Sequence, residues 1–392
     1  MRSQTYSLEL ITPCFCGGAE PDKQAEIRAS SIRGQLRWWF RTLGGFRSLA
    51  PLPVRDQEAL LFGSTAGDEG SAGRLTVRVT SSQPKSQKAN ANSLDPGKAT
   101  SLGYALFPLR PFGESDGMRG KLSEGSKIKV NLIWRGSCEH WGSVSALMAV
   151  WGNLGCLGFR GRRGFGALQL ESPTLDLAEA LSLFSRSDSV AIRVLVDLEP
   201  LTWRGASSEL LRWYRAWRQH GQMNRRWDKQ SKRWIAVGAQ QQAENRSQPG
   251  FKYARRDHNE GLDVQGTGAP NPDHEKPAGS SGEVFRPALG LPIIQFFSSL
   301  GGQGGPIPRR QATVTWDESW NQADMKGEGR FASPVLLRPH RDAQGKWHAL
   351  VIFVDAHKWP DGKHVFLNGQ PRDVRLELYD KMKDDPRLNN FP

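Results

Sequence analysis

Polar and apolar residues alternate over 5–11, with Tyr6, Leu8 and Leu10 on one side, which predicts a half-buried strand that Pro13 stops. Ser30 or Ser31 is placed to cap a following helix. Its apolar positions Leu36, Trp39, Phe40 and Leu43 fall at i, i+3, i+4 and i+7, and Gly44-Gly45 ends it. Three further strands are predicted over 75–79, 101–107 and 128–134, with a mobile loop rich in Ser, Gln, Asn and Lys over 81–98. Val144, Leu147, Met148, Trp151 and Leu154 give a second amphipathic helix, followed by a glycine-rich segment and a strand over 166–171. The order strand, helix, several strands, helix, strand predicts an α+β fold in which helices cover one face of an antiparallel sheet.

The same pattern starts again near residue 190. The strand-like run 195–200 stops at Pro200 as the first strand stops at Pro13, and Glu283–Gly290 faintly echoes the segment from Glu26 to Gly34. Two domains are therefore expected, 1–189 and 190–392, the second carrying an insertion over about 203–282. In the insertion, 207–234 is helical in pattern, with Leu210, Trp213, Tyr214 and Trp217 in one stripe. The Gln-, Asn-, Gly- and Pro-rich part, 238–282, reads as a mobile loop.

Charge narrows the partner. The chain of 392 residues carries a net charge of +13, which points to an anionic partner, nucleic acid or an acidic protein surface ahead of a membrane. No apolar run approaches the ~20 residues of a spanning helix and no secretory leader is legible, so a cytoplasmic protein is expected. The four cysteines form no C-x-x-C pair and no histidine follows them at finger spacing. Neither a metal site nor a cofactor is expected.

Two segments carry the candidate chemistry. Arg33, Arg37 and Arg41 are spaced i, i+4, i+8 and share one face of the first helix, about 6 Å per step, near the spacing of phosphates on an extended strand. A guanidinium donates two bonds to a phosphate and is never neutral; a solvated cationic helix face explains the spacing equally well. Between Gly155 and Gly166 lie Arg160, Arg162 and Arg163 with Phe159 and Phe165 interleaved, a flexible cationic loop that could bring backbone amides close to phosphate. The run Arg163-Gly164-Phe165-Gly166 opens like an RNP1 strand, but Ala167, Leu168 and Leu170 follow where that signature has stacking aromatics. Residues 201–260 hold 13 Lys and Arg against 5 Asp and Glu, Arg225 and Arg226 among them, with five tryptophans. Such interleaving suits RNA or a protein surface. Asp22, Asp68 and Asp116 sit in loops that could approach RNA but read better as solvated turn formers, His220 and His258 are weak candidates for acid–base work, and no nucleophile–base set can be assembled.

The segments Phe15–Ala19, Glu26–Arg28 and Ser31-Ile32-Arg33-Gly34-Gln35-Leu36-Arg37-Trp38-Trp39-Phe40-Arg41 resemble the N-terminal signature of the RAMP superfamily of CRISPR systems. The glycine-rich loop is similar to that superfamily's own, and residues 288–293 and 330–337 resemble its C-terminal motifs. The resemblance is strongest to a Cmr subunit of type III-B effector complexes. It implies two tandem ferredoxin-like (RRM-like) domains. It also implies a non-catalytic subunit that holds the 3′ region of the guide (CRISPR) RNA and assists capture of target RNA beside other Cmr/RAMP backbone subunits. By position, the RNA contacts would be Arg33, Arg37, Arg41, Arg160, Arg162, Arg163 and Phe165. The competing reading is a metal-independent RAMP endoribonuclease that processes repeat RNA with a histidine base; no histidine precedes His140.

Overall fold

The computed structural model describes residues 1–17, 25–65, 70–82, 86–90, 101–106, 118–196, 198–218, 225–228, 230, 233–236, 238–264, 281–291, 293–296, 311–316 and 331–391. In chain order the first elements are β1 (Arg2–Leu10), α1 (Ala29–Thr42), α2 (Val54–Phe62), β2 (Leu75–Ser82), β3 (Ser86–Asn90) and α3 (Ser101–Leu106). They continue with β4 (Met118–Leu122), β5 (Lys127–Trp134), α4 (Trp141–Leu154), β6 (Leu168–Ser172) and α5 (Leu177–Ser182). Then come β7 (Val190–Leu195), α6 (Trp203–Arg218), β8 (Arg225–Asp228), β9 (Arg233–Ala236), α7 (Ala239–Ser247) and α8 (Phe251–Val264). The chain closes with β10 (Glu283–Val284), β11 (Ile293–Phe296), β12 (Gln311–Thr315), β13 (Val335–Arg341), β14 (Trp347–Val354), β15 (His364–Leu367), β16 (Gln370–Val374), α9 (Glu377–Lys383) and β17 (Leu388–Asn390).

The first sheet has the order β2-β5-β1-β6, with every pair antiparallel. Strand, helix, two strands, helix, strand in that spatial order is the ferredoxin-like βαββαβ arrangement. Register follows burial: Tyr6 faces Val130 and Leu8 faces Ile128, so the apolar residues of neighbouring strands share one side of the sheet. Helix α1 lays Ile32, Leu36, Trp39 and Phe40 into the core, joined by Val144, Leu147, Met148 and Trp151 of α4. A second sheet, β13-β14-β7-β17, is also antiparallel. Its strands follow the same connectivity as the first: β7, α6, β13, β14, α9, β17. The molecule is thus α+β, with antiparallel sheets and ferredoxin-like connectivity.

By compactness the chain forms two units. One comprises Met1–Arg212, Val335–Ala356 and Arg387–Pro392, and contains both of these sheets. The other comprises Trp213–Pro334 and His357–Pro386. It is built on the sheet β10-β16-β15-β12-β11, and buries Val284, Val314, Trp359, Val365 and Leu367. In this unit α8 buries two carboxylates that receive full sets of donors. Asp257 accepts from the backbone N–H groups of Phe285 (2.8 Å) and Arg286 (2.9 Å) and from Arg286 Nε (2.8 Å). Glu260 accepts from Arg372 Nε (2.8 Å) and Ser281 N–H (2.7 Å), so neither charge is stranded.

Several expectations are corrected. Residues 101–106 are a helix, not a strand: Leu102, Ala105 and Leu106 are buried, a spacing of i, i+3, i+4 that the apparent alternation of Leu102, Tyr104 and Leu106 disguised. Within the loop expected over 81–98, β3 pairs with β4, while 91–98 lies outside the described residues. The helix expected over 207–234 ends at Arg218, and β8 and β9 pair beyond it. Most of the described part of 238–282 is helical, in α7 and α8. Asp22, Asp68, Asp116 and His220 lie outside the described residues.

Candidate nucleic-acid interface

Pro13 turns the chain from β1 into a short extended run that lies along the glycine-rich segment leaving α4. Cys14 bridges to Leu122, and Phe15 bridges to Phe159. Phe159 donates its N–H to the Phe15 carbonyl (2.7 Å), and Gly166 donates to Pro13 (2.8 Å). Leu157 N–H closes the loop onto the Gly166 carbonyl (2.8 Å). Thr12 Oγ1 donates to the Gly164 carbonyl (2.9 Å) and accepts from Ala167 N–H (2.8 Å). The flexible loop expected from composition is therefore a pinned one. Two of its glycines are required by position: Gly158 (φ +75°) and Gly166 (φ +66°) sit where a Cβ would run into the carbonyls of Phe15 and Leu157.

Arg160 is left-handed as well (φ +63°), which costs a non-glycine residue about 1–2 kcal/mol. Its carbonyl accepts Arg163 N–H (2.8 Å), and its Nε donates to the Ala105 carbonyl at the end of α3 (2.6 Å). The Arg162 guanidinium lies 5.3 Å from the centre of the Trp38 ring, tying the loop to α1. Burial lowers its pKa, and the neighbouring Arg163 adds to that. Arg163 turns inward, with Nη1 on the Val335 carbonyl (3.1 Å). Phe165 is only 1% exposed, edge-on to Phe15 (5.9 Å) and Trp203 (6.3 Å). A buried ring has no face to offer a base, so Phe165 is a core residue and Arg163 an internal tie. Phe159, by contrast, stands 47% exposed. Burial would be worth ~1.5–3 kcal/mol to a phenylalanine, and much of that is forgone here.

The foundation of the loop is Arg338 of β13, 1% exposed. Its guanidinium donates to the Leu168 carbonyl, to the Pro339 carbonyl (3.3 Å) and to His340 Nδ1 (3.1 Å), and Nε reaches towards the Gly155 carbonyl (3.5 Å). One side chain thus grips both ends of the glycine-rich segment. Burial pulls the Arg338 pKa down to about 10. It pulls His340 to about 3, with Arg338 as the next cause, so His340 is held neutral.

Arg33, Arg37 and Arg41 do share one face of α1, and that face meets α2. Arg33 donates to the Phe62 carbonyl. Arg37 pairs with Glu58 through Nε (2.8 Å) and Nη2 (2.7 Å), and Arg41 reaches the same Glu58 oxygen at 3.2 Å. The row is therefore neither a bare phosphate ladder nor a solvated face. Part of its charge latches α1 to α2, and Arg41, 52% exposed, remains the most open of the three. At the start of α1 the expected serine cap is absent. The helix begins at Ala29 behind an exposed Arg28, with no side-chain cap and no acidic residue in its first turn. The positive end of the helix is thus left to solvent or an anion.

Sequence reading missed two cations near the loop. Lys121 on β4 is largely buried, which lowers its pKa; Glu124 raises it, and Arg204 lowers it again. Arg204 is exposed and lies over Trp203, the ring that packs on Phe165. No pattern in the sequence marks either residue. Arg225 and Arg226 lie on β8 opposite Ala236 and Ile235. Trp203, Trp213 and Trp217 are core residues, the last two donating their indole N–H groups to one oxygen of Asp385 (both 2.8 Å). Among the described residues no group of His, Cys, Asp or Glu could hold a metal ion, and no helix is long and apolar enough to cross a membrane.

The βαββαβ sheet carries a pinned glycine loop beside its first helix. Residues 7–169, less than half of the chain, match the RAMP superfamily. The chain is also similar to Cmr1 proteins. It is 27% identical to the CRISPR system Cmr subunit Cmr1-1 of Pyrococcus furiosus over 190 residues, 48% of this chain and 53% of that protein. It is 26% identical to Cmr1-2 of the same organism over 186 residues, 44% of this chain and 96% of the relative. The chain thus spans about half the length of the first relative. The crystal structure of Cmr1 from Pyrococcus furiosus, in its apo form, shares the fold over 99% of this chain and 98% of that one, with a TM-score of 0.52 and 16% identity.

Proposed function

We propose that this chain is a non-catalytic, RNA-binding subunit of a type III-B CRISPR effector complex. In this reading it holds the 3′ region of the guide RNA and assists capture of target RNA beside other Cmr/RAMP subunits in the cytoplasm. The observation that carries the reading is the meeting of α1 with the glycine-rich loop. Arg162 stacks on Trp38, while Phe159 and Arg160 are held on a backbone pinned to Phe15. Residues more than 100 positions apart in sequence thereby form one cationic, aromatic surface, the combination that binds single-stranded nucleic acid without reading its bases. Arg28 and Arg41 extend it along α1, and Arg204 adds a further exposed cation on α6. Arg33 and Arg37 belong to the proposal as flanking cations, and Arg225 and Arg226, in the other compact unit, as further RNA contacts. We further propose that the chain repeats one fold, 1–189 and 190–392, which the shared connectivity of the two sheets supports.

The catalytic alternative needs a histidine that titrates near neutrality and reaches substrate. His340, next to the loop's foundation, is buried and held neutral far below that range. Incubating the purified chain with labelled repeat RNA in EDTA distinguishes the readings: intact RNA is expected, and discrete cleavage products would overturn the non-catalytic assignment. Crosslinking within the assembled complex tests placement, with adducts expected in the 3′ third of the guide and none at its 5′ end.

A further inference from the structure

We propose that Phe159 is a base-stacking residue, presenting its ring to one unpaired nucleobase while Arg160 and Arg162 stand beside the neighbouring phosphates. The proposal rests on the RNA-binding reading and adds to it a specific contact. Three observations carry it. Among the described residues the exposed large hydrophobic side chains are Met1, Leu52, Phe159 and Leu201, and Phe159 alone of these is aromatic. Its backbone is fixed: its N–H is bonded to Phe15, Gly158 before it is left-handed against the Phe15 carbonyl, and Arg160 after it is left-handed too. A strained non-glycine residue, Arg160, held immediately beside an exposed ring is the mark of a group positioned for contact. Third, the flanking cations are themselves oriented, Arg160 by the Ala105 carbonyl and Arg162 by Trp38. An exposed ring and two oriented guanidiniums on one short loop match the aromatic and cationic contacts that a single strand takes at its bases and phosphates. The ring has no polar atom, so the base it takes is selected by stacking and not by hydrogen-bonded readout.

The test uses the full chain with single-stranded RNAs that carry one 2-aminopurine, moved stepwise along the sequence. Wild-type protein should perturb the fluorescence of the stacked position, and Phe159→Ala should abolish that signal. The same substitution should weaken binding about 5- to 150-fold with an unchanged salt slope, because no charge is lost. Phe159→Trp should retain both signal and affinity. Arg162→Ala should instead lower affinity and flatten the salt slope. If Phe159→Ala binds like wild type while Arg162→Ala is impaired, the stacking proposal fails and the RNA-binding reading stands. If Phe159→Ala keeps RNA affinity and loses assembly with partner subunits, the ring is a protein contact and the proposal is wrong. If wild-type protein binds no single-stranded RNA even at low salt, alone or in the complex, both fail together.

Discussion

Acid should loosen the foundation of the glycine loop through one buried histidine. His340 accepts a hydrogen bond at Nδ1 from the Arg338 guanidinium (3.1 Å), with His348 and Phe391 against its ring and Asp342 beyond His348. Protonating it would set an N–H against a buried cation, which is why burial first and Arg338 second hold its pKa at about 3, against an ordinary value of 6.5. The unfolded chain therefore binds this proton more readily than the native one, and stability present above pH ~6.5 is lost as the pH falls towards ~3. For those two pKa values the loss at pH 5 is about 2 kcal/mol. Burial alone would raise the Asp342 carboxyl, but its bond to His348 and the backbone N–H of Lys346 outweigh that and hold it below its usual value, so its own contribution is lost at lower pH still. Urea denaturation at pH 7 and pH 5 measures the difference, with His340→Asn as the comparison because its side-chain oxygen can accept from Arg338 in place of Nδ1. Wild type should lose about 2 kcal/mol more than the variant between the two conditions. Equal losses would refute the reasoning, showing that His340 reaches solvent when charged.

Two other perturbations separate architecture from binding. Gly158→Ala places a Cβ against the Phe15 carbonyl on left-handed backbone and should cost about 2–4 kcal/mol, read as a lower urea midpoint at unchanged m-value. Glu58→Gln removes the carboxylate, itself buried, that the part-exposed Arg37 and Arg41 share; losing a charged acceptor of this kind should cost about 1–3 kcal/mol. RNA affinity at low salt should rise a few-fold if those arginines face the strand, and unchanged affinity would assign them to the α1–α2 latch alone.

Much of the fold is legible in the sequence, because periodicity reports directly on burial. Leu36, Trp39, Phe40 and Leu43 are spaced for one face of a helix and all four are buried; the alternating residues of β5 behave likewise. Where the pattern was short, period failed: 101–106 offers too few residues to distinguish a period of two from one of 3.6. Around the glycine loop the limit was different. Phe159 and Phe165 look alike in a cationic glycine run, and only the left-handed turns at Gly158, Arg160, Gly164 and Gly166 decide which ring is buried. The arginine row was correctly placed on one face, yet its partner, Glu58, arrives from another helix and carries no local signal. Arg338 is the extreme case: a residue of β13 that secures a loop some 170 positions earlier can be found only by tertiary structure.

The central claim is that α1 and the pinned glycine loop together form a surface for single-stranded RNA. The most direct measurement is the affinity of the purified chain for a single-stranded RNA across a salt series, repeated with Arg162→Ala. The account predicts a steep fall in log Kd-derived affinity with log salt, the slope decreasing by about 0.7 when one phosphate contact is removed. No binding at low salt, alone or in the assembled complex, or a slope that ignores Arg162, would contradict it.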